Sequence, residues 1–279
     1  MPIQSRQKFD PQHTMSKDRY LKIPGLLSIS IGLAALISIT VLPGIASAEA
    51  GSLKILPLGN SITHAEVNRA SYRYPLWKKL IDADIKFDFV GSMDSQLATY
   101  SKGTPPQPDY KGRKFDKDHE GHFAWEVNDI VNGRHPNNGT GSGSLSQWML
   151  DYDFDIALVH LGTNDAFYRQ SNPQVAAELK VVINTLREDN LNAIILLAKV
   201  IPTSRSKADK QAVEKLNEVI PSVASQMNNS ASPVILVDQF TGFNANAETY
   251  DGVHPNALGE ERMAQRWYDA ITASLALVN

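Results

Sequence analysis

Five short apolar runs recur along this chain, at Leu53–Leu58, Phe87–Val90, Ile156–Leu161, Ala193–Ile201 and Val234–Val237. Each is rich in β-branched residues and is closed off by polar or turn-forming residues. Runs of this length read as strands buried on both faces. Between them the apolar positions take up a helical period. In Pro173–Glu188, the side chains of Val175, Leu179, Val182, Ile183 and Leu186 share one face, with Asn172 as the expected N-cap and Pro173 in the first turn. The same pattern predicts helices over Pro75–Asp82, Ala124–Val131, Ala208–Met227 with a kink at Pro221, and Ala257–Leu277. Strands that alternate with helices imply a parallel sheet covered on both faces, because right-handed crossovers lay helices above and below it. The expected fold is a three-layer α/β/α sandwich on five parallel strands, one domain over Glu49–Asn279. Ser92–Phe115 and Asn132–Ser144 break the rhythm and are expected to be surface loops.

Ahead of this domain the sequence changes character. Leu26–Val41 carries no charge, follows Lys17, Arg19 and Lys22, and gives way to Pro43-Gly44 and then Ala46-Ser47-Ala48. A basic segment, an apolar core and a small-residue site together read as a signal peptide over Met1–Ala48, cleaved after Ala48, with Met15 as an alternative start. The expected location is therefore the periplasm or the exterior, without stable membrane association after cleavage. A retained anchor is the other reading of the same apolar stretch.

Cysteine is absent, so disulfides, thiol nucleophiles and thiolate-bound metals are excluded. Lys and Arg number 27 against 30 Asp and Glu, and the first 48 residues hold five of the bases and two of the acids. What remains is acidic and has no basic run to meet a phosphate backbone, so no nucleic-acid partner is expected.

In open parallel sheets the reactive groups gather at the carboxyl ends of the strands. The first run leads into Gly59-Asn60-Ser61, the third into Gly162-Thr163-Asn164-Asp165, and the last towards Asp251-Gly252-Val253-His254-Pro255. A serine hydroxyl is a poor nucleophile until a neighbouring base accepts its proton, and His254 is the candidate for Ser61. Asp251, three residues earlier, can fold back onto the imidazole and fix its tautomer. The backbone N–H groups of Ser61 and Gly121 and the side-chain amide of Asn164 are candidate donors to an oxyanion. Each residue also has a plain reading: Asp251 as a turn residue, His254 as a surface histidine, Gly121 as a loop glycine, Asn164 as a turn residue after a strand.

His119 and His122, with Asp116 or Asp118, offer nitrogen and oxygen ligands for a metal. The segment His119-Glu120-Gly121-His122 is one residue short of the helical H-E-x-x-H spacing, and its glycine disfavours a helix, so no metal or other cofactor is expected. His160, within an apolar run, is expected to be a hydrogen-bonded core residue.

Taken in order, Ser61, Gly121, Asn164 and the Asp251/His254 pair resemble the four blocks of SGNH (GDSL-type) hydrolases. LPLGNSIT, YRYPLWKKL, FDFVGS, DHEGHFAW, HLGTND and DGVHPNALG are more closely similar to carbohydrate esterase family three, in which acetylxylan esterases are found. The likeness spans Leu53 to Trp267. It implies a flavodoxin-like sheet of five parallel strands, an oxyanion hole made by Ser61, Gly121 and Asn164, and an acylated carbohydrate substrate, acetylated xylan for example. Trp125 and Tyr168 are then candidates to stack on a sugar ring at the rim. One position departs from the pattern: members usually carry Asp where this chain has Asn60. Asn is nearly isosteric but uncharged, so it is expected to tune the rate rather than abolish it. Two other functions remain in view: a lysophospholipase or thioesterase, which would need an apolar acyl groove, and a non-catalytic carbohydrate-binding relative.

Overall fold

The computed structural model describes residues 51–66, 71–95, 107–134 and 140–278; the signal-peptide reading lies outside these residues, as does part of each expected loop. Among the described residues six strands form one sheet: β1 (Leu53–Gly59), β2 (Phe87–Phe89), β3 (Glu120–Gly121), β4 (Ile156–His160), β5 (Ile194–Lys199) and β6 (Val234–Asp238). The helices, in chain order, are α1 (Ser61–His64), α2 (Arg73–Asp82), α3 (Val127–Asn132), α4 (Leu145–Trp148), α5 (Thr163–Phe167), α6 (Asn172–Asp189), α7 (Lys207–Met227), α8 (Ala245–Glu248) and α9 (Ala257–Val278).

Every strand pair is parallel, in the order β2-β1-β4-β5-β6, with β3 also on β1. The sheet thus has one strand more than expected. β2 pairs with β1 only over Leu53–Ile55, and β3 takes up the same edge further along, at Leu58 and Gly59. A polar dipeptide has no apolar periodicity from which a strand can be read; the pairing with β1, continued by the His122 N–H donating to the Gly59 carbonyl at 3.0 Å, makes it one.

Alternation along the strands builds two cores. Ala157 and Val159 of β4, with Leu56, Leu58, Ile195 and Leu197, face α3, α4, α6 and α7, where they meet Ile130, Trp148, Leu179, Val182, Leu216 and Ile220. Ile156 and Leu158, with Ile55, Ile194 and Leu196, face α2 and α9, where they meet Leu76, Leu80, Met263 and Trp267. Each fully buried aliphatic chain contributes roughly 1.5–3 kcal/mol relative to exposure. This is the three-layer sandwich that the sequence predicts.

Helix starts follow their caps rather than the apolar pattern. Ser171, not Asn172, caps α6, its hydroxyl accepting from the Gln174 N–H, and Asn172 is the first helical residue ahead of Pro173. α3 begins at Val127 instead of Ala124, because Glu126 and Asp129 form a reciprocal capping box and Ala124 sits at φ +63°. α7 runs unbroken through Pro221. Just before it, the Asn217 side chain turns to the sheet, accepting from the Val200 N–H and donating to the Val200 carbonyl, each at 2.9 Å.

Candidate active site

Three strand ends and one loop supply the site. β1 runs through Gly59 and Asn60 directly into Ser61, the first residue of α1, whose N–H therefore has no partner within that helix. β3 brings Gly121, β4 leads to Asn164 in α5, and the loop after α8 carries Asp251 and His254.

Residues 193 apart in sequence meet here. Nε2 of His254 lies 2.9 Å from Ser61 Oγ, and Nδ1 of the same ring lies 2.7 Å from Asp251 Oδ2. The carboxylate on Nδ1 fixes the tautomer: Nδ1–H donates to Asp251, and Nε2 is left to accept from the serine hydroxyl. Asp251 is itself held by backbone donors, its Oδ1 accepting from the N–H groups of Val253 (2.9 Å) and His254 (2.7 Å). Burial pushes this carboxyl up, but the hydrogen bonds from the His254 side chain and backbone and from Val253 outweigh it and hold the group down at about 2. The imidazole is flanked by Phe123 and Tyr250 at centroid distances of 5.8 and 5.7 Å, both nearly parallel to it.

Gly252 lets the loop pass close to its neighbour. It sits at φ +86°, and a Cβ there would lie 2.9 Å from the Arg205 backbone nitrogen. Its carbonyl accepts from Thr203 Oγ1 at 2.6 Å and from the Ser204 N–H at 2.8 Å, tying the loop after β5 to the loop that carries His254.

Asn164 and Ser61 line one cavity of about 380 Å³, together with Asp251, His254, Phe123, Phe167 and Arg205. The Asn164 amide is oriented by donating to the Trp125 carbonyl at 2.7 Å, which leaves its second hydrogen for another acceptor. Gly121 packs against α1, where a Cβ would lie 2.5 Å from the His64 nitrogen. Its N–H donates to His119 Nδ1 at 2.9 Å, so this donor already has an acceptor within the protein. On the other side of Ser61 a narrow crevice of about 10 Å³ lies among Ile62, Ala65, Tyr250 and His254, with room for about one water molecule. A larger recess of about 980 Å³, around Lys54, Asp84, Asp155 and Asn190, includes none of these residues.

Of the two rim aromatics expected from sequence, Trp125 is fully buried and cannot stack on a ligand: it lies against His122 at 4.4 Å and belongs to the core. Tyr168 is exposed, but the aromatic of that segment that lines the cavity is its neighbour Phe167. Phe123, Phe167 and Arg205 were missed by sequence reading. Phe123 directly follows His122 and Phe167 lies two residues beyond Asp165 of the third motif; Arg205 had no signal beyond its position after a strand.

Behind Gly121 lies a buried polar cluster. Glu120 accepts from the Ser92 N–H (2.9 Å) and hydroxyl (2.7 Å), from Tyr152 and from His122 Nε2 (2.7 Å). The other nitrogen of His122 faces the Thr140 carbonyl at 2.9 Å, and the ring is stacked between Trp125 and Trp148, each 4.4 Å away. His119 Nε2 faces the Ser95 carbonyl at 2.9 Å. The nitrogens considered above for a metal thus all face protein groups. Burial, then the Arg73 charge, lowers His64 to about 3. His160 is buried as expected, its Nε2 accepting from the Ile201 N–H at 3.3 Å.

Residues 58–262 match the model of the GDSL-like Lipase/Acylhydrolase family, which is most of the chain. The chain belongs to that family. Among solved structures, this GDSL-like chain is similar to a carbohydrate esterase family 3 protein from Talaromyces cellulolyticus (29% identity, TM-score 0.64), covering 80% of this chain and 98% of that one. A mutant acetyl esterase with acetate ion is 28% identical with TM-score 0.65, covering 81% of this chain and 100% of that one. A family 3 carbohydrate esterase of Clostridium thermocellum is 26% identical with TM-score 0.64, covering 82% of this chain and 100% of that one. A multidomain esterase of Ruminococcus flavefaciens is 29% identical over 278 residues, 92% of this chain, and the match spans only 33% of that protein's length. The family and these relatives put the GDSL-like chain among carboxylic ester hydrolases of the SGNH type, near the family 3 carbohydrate esterases.

Proposed function

We propose that this is an exported serine esterase that removes small acyl groups, acetyl above all, from a polysaccharide such as xylan. The observation that carries the reading is the continuous contact Ser61–His254–Asp251 at 2.9 and 2.7 Å beside a crevice too small for a long acyl chain.

Ser61 Oγ attacks the ester carbonyl while His254 Nε2 takes its proton, and Asp251 stabilises the imidazolium. Negative charge on the carbonyl oxygen is met by the Ser61 N–H and the free hydrogen of Asn164 Nδ2, while the Gly121 N–H stays on His119 Nδ1. His254 then gives the proton to the departing sugar oxygen as its bond to the acyl carbon breaks, and water repeats the sequence on the acyl-enzyme. The narrow crevice suits a methyl group, and the open, polar and aromatic cavity opposite suits the sugar. Export rests on the signal-peptide pattern of the first 48 residues.

Ser61→Ala is expected to lower kcat on p-nitrophenyl acetate by about 10⁴-fold or more with the fold intact by circular dichroism. The wild-type enzyme is expected to prefer two-carbon over eight-carbon nitrophenyl esters and to release acetate from acetylated xylan. Full activity in Ser61→Ala would refute the mechanism, and a preference for eight carbons would point to the lysophospholipase or thioesterase alternative.

A further inference from the structure

We infer that Arg205 forms an anion subsite beside Ser61, so that the preferred substrate is an ester on a uronate-containing carbohydrate rather than on a wholly neutral one. The inference rests on the esterase reading above and adds the charge of the substrate to it.

Arg205 lines the same cavity as Ser61 and Asn164. Its guanidinium carbon lies 4.8 Å from the centroid of the Phe167 ring, which lines that cavity too. The charge in this region is not balanced. Asp209 is shared by two arginines, with Arg169 at 2.7 Å and Arg205 Nε at 3.5 Å, so one carboxylate serves two guanidiniums. The other acid at the cavity, Asp251, is committed through both oxygens to His254 and Val253. The terminal nitrogens of Arg205 make no hydrogen bond among the described residues, so the uncommitted charge facing the cavity is positive, on a chain that is acidic as a whole.

The backbone that carries this charge is held in place. The Arg205 backbone packs against Gly252, and Thr203 and Ser204 bond the Gly252 carbonyl, so the arginine and the loop bearing His254 are held in one register. A planar guanidinium with its Nε side directed to Asp209 presents the remaining N–H fork to a second carboxylate in the geometry that bidentate pairing requires. The crevice on the far side of Ser61 takes the acyl group, so the carboxylate belongs to the alcohol part of the ester, the sugar.

The test compares acetylated oligogalacturonate with its methyl-esterified form, which keeps the skeleton and removes the charge. Wild-type kcat/KM is expected to favour the free acid by about fivefold or more, mostly through KM, with the preference shrinking as salt rises. Arg205→Gln should bring the ratio to about one, Arg205→Lys should keep part of it, and Arg169→Gln, which leaves Asp209 to pair with Arg205 alone, should also reduce it without removing it. Both substrates are measured on one preparation, so partial misfolding cancels in the ratio. A wild-type ratio of one, or a ratio that survives Arg205→Gln, overturns the inference while activity on p-nitrophenyl acetate leaves the esterase reading standing. No activity on p-nitrophenyl acetate removes both.

Discussion

Glu120 Oε1 and His122 Nε2 lie 2.7 Å apart, and neither side chain reaches solvent. Both nitrogens of His122 face oxygens of the protein, the second being the Thr140 carbonyl. An imidazole stacked between Trp125 and Trp148 and joined to a carboxylate that accepts from Ser92 and Tyr152 is a closed network. Breaking one side strands the other. Glu120→Ala is therefore expected to destabilise the protein by about 3–5 kcal/mol, with Glu120→Gln costing less because it keeps an acceptor. Urea unfolding monitored by tryptophan fluorescence measures this directly. A loss below about 1 kcal/mol for the alanine variant would mean that the network does not stabilise the wall behind Gly121.

Asp165 links the site to stability through pH. Its Oδ1 accepts from the Val127 N–H at 3.0 Å, at the start of α3, while its Oδ2 has no partner among the described residues. Burial, aided by the charges of Glu126 and Glu178, raises the carboxyl to about 7. Between the ordinary carboxylate value of about 4 and about 7 the native state keeps a proton that the unfolded chain has released, so stability falls as pH rises through this window and levels off above it. Asp165→Asn keeps an acceptor for Val127 and removes the titration. It is expected to match the wild type near pH 4, to exceed it near pH 8, and to flatten the slope between, leaving the smaller fall due to Asp116, which burial raises to about 6. Thermal unfolding midpoints across that range check it; parallel wild-type and variant curves would contradict it.

The parts of the fold that were legible in the sequence are those whose signal repeats. The apolar runs of β1, β4 and β5 and the 3.6-residue period of α6 each carry several residues of the same meaning. β3 carries two, and both are polar or glycine, so only its partner β1 reveals it. The same holds in the site. Ser61, Asn164 and His254 stand in short motifs at strand ends, whereas Arg205 is recruited by the passage of Gly252 past its backbone, a contact between segments 47 residues apart. Trp125 was misread for the converse reason. An aromatic beside a motif has the composition of a sugar platform, but His122 stacks on it, Trp148 packs against it at a tilt, and it is buried.

Asn60 is where this chain departs from the motif it resembles, and its surroundings decide what restoring the acid would do. The side chain is fully buried; its Oδ1 accepts from the Ile62 N–H at 3.2 Å, capping α1 beside Ser61, and its Nδ2 has no partner among the described residues. An aspartate would keep the cap through one oxygen and place the other, with a charge, where no donor receives it. His64, buried nearby in the same helix and lowered to about 3, is neutral at working pH and provides no compensating cation. Asn60→Asp should therefore change kcat/KM on p-nitrophenyl acetate by less than about tenfold and should lower the thermal midpoint more at pH 8 than at pH 5, since a buried unpaired carboxyl costs most when ionised. A gain of several orders of magnitude in kcat would show that the missing charge acts on Ser61 directly, and that the amide in this chain holds the nucleophile's turn without supplying its field.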